Sequence, residues 1–328
     1  MCNSQGYTID SPSSMLAFGD ELTARAGDRW SMLGPAPNEP PAKGDPFAIG
    51  ARRSWVPALG KIVWEVPKGN ELRGYYAYIC EASGSQQIGY VRVPDYDPNQ
   101  DALKGFEEVI TRFESTTEAM VFDQVSNRGG NMFQMYALLE MLTDKAMALP
   151  THQITIDDDY AAVLADDVAN AEAGEKVPPE RVAYARLVLS EKAAGRGTGL
   201  KPSNPLYLEG VAQILPAKNH YTKKIVVLIN ELDFSAAEFL AAILQDNKRA
   251  TLFGQTTAGA GGCQKRISKP NDLGIADISW TWTIARRTNG EYIENKGIQP
   301  DVKYELTVED IRSGFGGYRQ ALLATINA

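Results

Sequence analysis

Histidine is almost missing from this chain of 328 residues, which has only His152 and His220. A hydrolase that uses imidazole near neutral pH would have just these two to draw on. Cysteine is scarce as well. Cys2, Cys80 and Cys263 are odd in number and widely spaced, which excludes a disulfide framework or a paired-cysteine zinc site. Cys263 follows a glycine-rich run and could be a reactive thiol, although a small buried residue is the commoner role. Positive charge is in deficit, with 33 Lys and Arg against 41 Asp and Glu and a net charge of −8. A nucleic-acid partner is therefore not expected. No apolar run approaches the roughly 20 residues that cross a membrane. The opening Met1-Cys2-Asn3-Ser4-Gln5-Gly6 has neither the charged nor the apolar region of a secretory signal, and it reads as the middle of a longer protein. What is present is ordinary for a soluble globular protein, at 44% hydrophobic and 23% charged residues.

Texture divides the chain. Residues 1–53 read as the tail of an upstream domain, with a short helix near Met15–Ala26 and a Pro-rich linker over 34–50. Residues 54–328 read as the core. Strands are expected at 61–66, 75–81 and 88–93, where aromatic and β-branched residues cluster. A helix is expected over 101–117 from the spacing of Leu103, Phe106, Val109, Ile110 and Phe113. A buried strand at 119–122, a helix at 132–143, an acidic and then alanine-rich helical insertion at about 157–198, a strand at 223–229, a helix at 236–244 and a strand at 250–253 follow. Strands at 275–286 and 302–306 and a terminal helix over 307–326 complete the pattern. Alternating strands and helices argue for an α/β fold.

One strand-to-helix junction stands out. The apolar run Val226–Ile229 passes through Asn230-Glu231-Leu232-Asp233-Phe234 to Ser235, and an alanine-rich helical stretch starts at Ala236. A hydroxyl at such a turn lies at a sheet edge, beside helix N-terminal amides that favour negative charge. That is the requirement of an acyl-transfer nucleophile. Serine is also favoured there as a plain N-cap. Two further segments bear on the choice. In Asn127-Arg128-Gly129-Gly130, paired glycines let backbone amides turn toward a ligand, as they also do in any tight turn. The amides of Gly129, Gly130 and Ala236 are the candidate oxyanion donors. Glu294, before the Asn295-Lys296-Gly297 turn, could orient a base, or could simply be a surface carboxylate.

In order, Ile88–Val93, Asn127–Gly130, Phe234–Glu238, Arg249–Gly262 and Glu294–Asp301 resemble the tail-specific, C-terminal-processing serine proteases, in particular the branch of the chlamydial protease-like activity factor. The resemblance covers roughly residues 54–306. It implies a ClpP/crotonase-like core with a mixed sheet, the helical insertion beside the site, and Ser235 as nucleophile. Many relatives use a lysine in a Thr-x-Gly-Lys-Gly loop, but here the loop reads Thr257-Ala258-Gly259-Ala260-Gly261, with Ala260 in the lysine's place. Lys265, five residues on, is a poor substitute. The chlamydial branch uses Ser, His and Glu, and Glu294, 59 positions after Ser235, resembles its glutamate. That role is to fix the imidazole tautomer and stabilise the imidazolium.

The histidine of that branch precedes the strands that start near residue 61, and no histidine of this chain does. His220 lies at the far end of the strand leading to Ser235, about 20 Å away for six residues. The expected function is a serine endopeptidase acting on protein or peptide substrates, its histidine supplied by a part outside this chain. The alternative is a catalytically dead homologue that binds peptides or regulates a protease. A crotonase-type acyl-CoA enzyme shares the core type, but no basic pocket for coenzyme A is readable. No cofactor or metal is expected. A second protomer or the chain's own N-terminal fragment is a candidate partner, and the resemblance implies a secreted or periplasmic location.

Overall fold

The computed structural model describes residues 50, 52, 54–66, 75–82, 85–97, 100–267 and 278–328. The expected helix near 15–26, the Pro-rich segment, Cys2 and nearly all of the 1–53 tail lie outside the described residues.

Chain order explains the architecture. Strands β1 (Lys61–Glu65), β2 (Tyr76–Glu81) and β3 (Gln87–Arg92) form an antiparallel meander. Helix α1 (Gln100–Thr116) then crosses back to β4 (Ala119–Asp123), which runs parallel to β3. Helix α2 (Met132–Glu140) and the short strands β5 (Met147–Ala148) and β6 (Thr151–Ile154) follow. Helices α3 (Asp158–Glu172) and α4 (Pro179–Ala193) occupy the stretch expected as a helical insertion. After β7 (Gln213–Ile214) come β8 (Lys224–Ile229), α5 (Ala236–Asp246) and β9 (Thr251–Gly254). The chain ends with β10 (Gln264–Ile267), β11 (Ile278–Thr281), β12 (Thr283–Arg286), β13 (Val302–Lys303), α6 (Val308–Arg312) and α7 (Gly316–Asn327).

The main sheet has seven strands in the order β1-β2-β3-β4-β8-β9-β13, antiparallel on one side and parallel from β3 onward. This is the expected α/β class with a mixed sheet. All five residues of β4 are buried, as are five of the six in β8. Parallel strands covered on both faces read as continuous apolar runs for this reason. Strand periodicity distributes them: Met120 and Phe122 enter one core with α1, α2 and α5, while Ala119 and Val121 enter the other, against Tyr318, Leu322 and Ile326 of α7.

Three expectations need correction. The strand expected over 275–286 is two strands among its described residues. The strand changes partner at Trp282. Its amide extends the β10 ladder by donating to the Cys263 carbonyl, and its carbonyl opens the β6 ladder by accepting the Thr155 amide, so β11 pairs with β10 and β12 with β6. The strand expected to reach 306 pairs with β9 only at Val302 and Lys303. The terminal helix is two helices, separated where Gly314 and Phe315 take left-handed φ of 70° and 62°.

The layout places the site. β4 and β8 are adjacent and parallel, with Val121 opposite Val226. Their C-terminal ends therefore deliver the Asn127–Gly130 loop and the Ser235 turn to the same edge of the sheet, where open α/β sheets present ligands.

Candidate active site

Ser235 occupies the N-cap position of α5, yet its side chain makes no capping hydrogen bond. Its backbone is at φ 51° and ψ −119°, a combination that costs a non-glycine residue about 1–3 kcal/mol. The chain supplies its own control. Thr307-Val308-Glu309-Asp310 and Ser235-Ala236-Ala237-Glu238 both carry the capping-box spacing. At Thr307 the box forms: φ is −100°, the hydroxyl accepts from the Asp310 amide, and the Asp310 carboxylate accepts from the Thr307 amide. At Ser235 the flipped backbone turns the hydroxyl away from that duty. The plain N-cap reading therefore fails at the one serine where it mattered. The sharp, strained strand-to-helix turn is the geometry of a nucleophile elbow.

Three loops hold this turn. The oxyanion-loop candidate is knitted to it by Asn127, whose carbonyl accepts the Phe234 amide at 3.0 Å and whose amide donates to Asp233 Oδ1 at 2.9 Å. The Asn127 side chain reaches in both directions, donating to the Val93 carbonyl at 2.9 Å and accepting the Gly129 amide at 2.8 Å. Gly129 has φ 82°, and a Cβ there would lie 2.8 Å from Ser235 Cβ and 2.7 Å from the Phe234 oxygen. Only glycine fits so tight a contact. No hydrogen bond within the described residues takes the amides of Gly130 and Ala236; Ala236 is in the first turn of α5, where amides lack intrahelical partners.

The second loop is 257–262. The Ser235 amide donates to the Ala260 carbonyl at 3.1 Å, and Ala260 is exposed. Glu238, buried one turn along α5, accepts from Thr257 Oγ1 at 2.6 Å, the Gly259 amide at 2.6 Å and the Ala260 amide at 2.7 Å. The third element is the Glu294 turn. The Asn295 amide donates to the Gly259 carbonyl at 2.8 Å, and a Cβ on Gly262 would lie 3.2 Å from Glu294 Oε1. Ser235 and Glu294 thus contact the same short segment. Glu294 Oε1 accepts the Ala285 amide at 3.2 Å, whereas Oε2 is buried without a partner. Burial pushes the Glu294 carboxyl up, and likewise those of Glu238 and, more strongly, Asp233.

Neither histidine is brought to Ser235 as a base. His220 precedes the start of β8, at the end of the strand away from the serine, and its Nδ1 is 2.7 Å from the Ala217 carbonyl. His152 is fully buried on β6, stacked on Phe239 of α5 at 5.3 Å, with Nδ1 3.3 Å from Thr283 Oγ1. Burial pushes its pKa down to about 4, so its ring is neutral at physiological pH. Lys265 is equally committed. It pairs with Asp157, the N-cap of α3, and lies 4.9 Å from the Trp282 ring and 5.2 Å from the Tyr160 ring. Cys263 is buried with Sγ 3.9 Å from Met132 Sδ, and burial pushes its thiol up to about 11, so little of it is thiolate at neutral pH. Among the described residues no group of three or more His, Cys, Asp or Glu could hold a metal ion.

Sequence reading gave no role to Asn127, Asp233 or Glu238. Each acts through backbone groups of a loop distant in sequence. The one available signal was the S-x-x-E spacing of Ser235 and Glu238, which normally marks a capping box.

Comparison with known proteins agrees with this layout. The profile of peptidase family S41 matches residues 87–304. A protein of Chlamydia pneumoniae is 35% identical over 310 residues, covering 84% of this chain and 49% of that protein. Carboxy-terminal processing protease CtpA of Bacillus subtilis is 37% identical over 102 residues, 30% of this chain and 21% of that one. Among solved structures, mature CPAF complexed with lactacystin superposes with a TM-score of 0.75 at 31% identity, covering 87% of this chain and 59% of that chain. The chain spans about half the length of the chlamydial relatives it matches. On the profile match and the chlamydial similarity together, this chain belongs to peptidase family S41.

Proposed function

We propose that the chain carries the nucleophile half of a serine peptidase that cleaves protein or peptide substrates through an acyl-enzyme. The observation that carries this reading is Ser235 itself: a serine in an N-cap position, held at φ 51°, that does not cap its helix. Such strain is kept where the surrounding structure over-determines it, and it clusters at reactive sites. In this reading Ser235 Oγ attacks the scissile carbonyl, and its proton passes to a base. The tetrahedral oxyanion is bound by two backbone amides. Because the Gly129 amide is already taken by Asn127, the expected donor set narrows to Gly130 and Ala236. Glu294 Oε2 is the acceptor that would orient an imidazole N–H and stabilise its charged form.

The base comes from outside this chain in the same proposal, from a segment such as the other half of the relatives or from a second copy. A secreted or periplasmic location belongs with it. Without a base, a serine hydrolase retains only the modest acceleration due to binding and the oxyanion hole.

The second reading, a peptide-binding or regulatory homologue without activity, is favoured by one observation: His152, His220 and Lys265 are all engaged elsewhere. Fluorophosphonate labelling separates the two. The chain is labelled alone and with the unmatched part of the Chlamydia pneumoniae relative added, beside Ser235→Ala. Labelling that depends on Ser235 and rises with the added part supports the peptidase. No labelling in either condition supports the binding homologue.

A further inference from the structure

Both halves of the expected capping box at Ser235 engage one loop. The Ser235 amide donates to the Ala260 carbonyl at 3.1 Å while still favouring the charged Glu238 carboxylate. That carboxylate also receives the Thr257 hydroxyl and the Gly259 and Ala260 amides, at 2.6, 2.6 and 2.7 Å. Three short donors on one carboxylate form a strong, charge-assisted set. Thr257 is fixed on its other side as well: its hydroxyl accepts the Ile298 amide at 2.7 Å, and its own amide donates to the Ile298 carbonyl at 3.2 Å. Glu238 therefore grips the segment that binds Ser235 on one side and the Glu294 turn on the other. Burial pushes this carboxyl up, and the Thr257 hydroxyl and the Gly259, Ala260 and Ser235 amides act against that shift.

We propose that Glu238 is a positioning residue, whose carboxylate, by holding Thr257–Ala260, keeps Ser235 in the flipped conformation that frees its hydroxyl. The proposal rests on the reading of Ser235 as nucleophile, and it adds what prevents that serine from relaxing. If the grip is lost, Ala260 no longer fixes the Ser235 amide. Ser235 then returns to a negative φ, and its hydroxyl caps α5 as Thr307 caps α6.

The test uses the full chain and the variants Glu238→Gln and Glu238→Ala. Glutamine keeps one acceptor oxygen, so it separates loss of the charge from loss of all acceptors. Amide exchange at Gly259, Ala260 and Ser235 is expected to speed up about tenfold or more in Glu238→Ala, with glutamine intermediate and β4 and β8 unchanged. Fluorophosphonate labelling of Ser235 should fall in the same order, and a crystal structure of Glu238→Ala should show Ser235 at negative φ. Unchanged exchange at Gly259 and Ala260, or a serine still flipped in Glu238→Ala, overturns the proposal. If Glu238→Ala also loosens β4 and β8, the glutamine variant decides. A parent chain that is never labelled, but whose variants show the exchange pattern and the relaxed serine, defeats the nucleophile reading and leaves the grip standing. A labelled parent with an equally labelled Glu238→Ala does the reverse.

Discussion

The amide of Ser235 donates to the carbonyl of Ala260 at 3.1 Å. The residue at the place where the family resemblance implies a lysine is therefore a direct backbone neighbour of the candidate nucleophile. Its side chain is exposed, so the position can accept a long side chain without repacking a core.

That contact gives the first prediction. Ala260→Lys should place an amine within reach of Ser235 and raise fluorophosphonate labelling of the isolated chain by about tenfold or more, within the range of a positioned general base. The gain should vanish in Ala260→Lys combined with Ser235→Ala. Equal labelling of the parent and Ala260→Lys would mean that the 257–262 loop does not present its side chain to the serine.

Gly129 gives the second. Alanine there must adopt φ 82° and bring a Cβ to 2.8 Å from Ser235 Cβ. Gly129→Ala should cost about 1–3 kcal/mol in denaturant unfolding and should lower Ser235 labelling by more than the lost stability explains. Gly174→Ala, also at positive φ but with nothing near its Cβ, isolates the backbone part of the cost.

Lys265 supplies a third. Its pairing with Asp157 and its position over Tyr160 and Trp282 make it a tether for α3. Lys265→Met should destabilise the chain by about 1–2 kcal/mol, because Lys265 is buried while Asp157 is partly solvated. It should speed amide exchange in α3 and leave Ser235 labelling unchanged. Loss of labelling with stability intact would instead identify Lys265 as the base.

The fourth concerns acid. His152 is held at a pKa of about 4 by burial, below the roughly 6.5 of an unfolded chain. Between these values the unfolded state binds a proton that the folded state refuses. His152 therefore contributes stability that is complete above about pH 6.5 and is lost as pH falls toward 4, by at most about 1.4 kcal/mol per pH unit. His152→Phe should keep the stacking on Phe239 and flatten the unfolding free energy over that window. An unchanged slope would show that His152 is not neutral in the fold.

Local patterns in the sequence carried most of the fold. The buried β4 and β8, helices α1, α2 and α5, and the two helices of 158–193 follow from short-range periodicity, which neighbouring residues alone express. The strand expected over 275–286 was less legible, because Trp282 spends its backbone groups on Cys263 and Thr155 and nothing nearby in sequence signals those partners. The terminal helix divides at a place the sequence does mark, since Gly314, Gly316 and Gly317 flank Phe315, but the αL conformation of Phe315 itself is not one its own side chain favours.

At the site, the sequence by itself determined which residues could carry the chemistry: Ser235 at a strand-to-helix turn, the glycine pair, Glu294, and the lack of a base beyond His152, His220 and Lys265. Only the tertiary structure decided what those residues do to one another. The same four-residue spacing makes a capping box at Thr307 and leaves one unmade at Ser235. The difference lies in a loop about twenty residues further along the chain, whose carbonyl takes the Ser235 amide and whose amides take the Glu238 carboxylate. Propensity ranks the local options of a serine, but a hydrogen-bonding partner brought near by the packing of α5 against that loop selects among them.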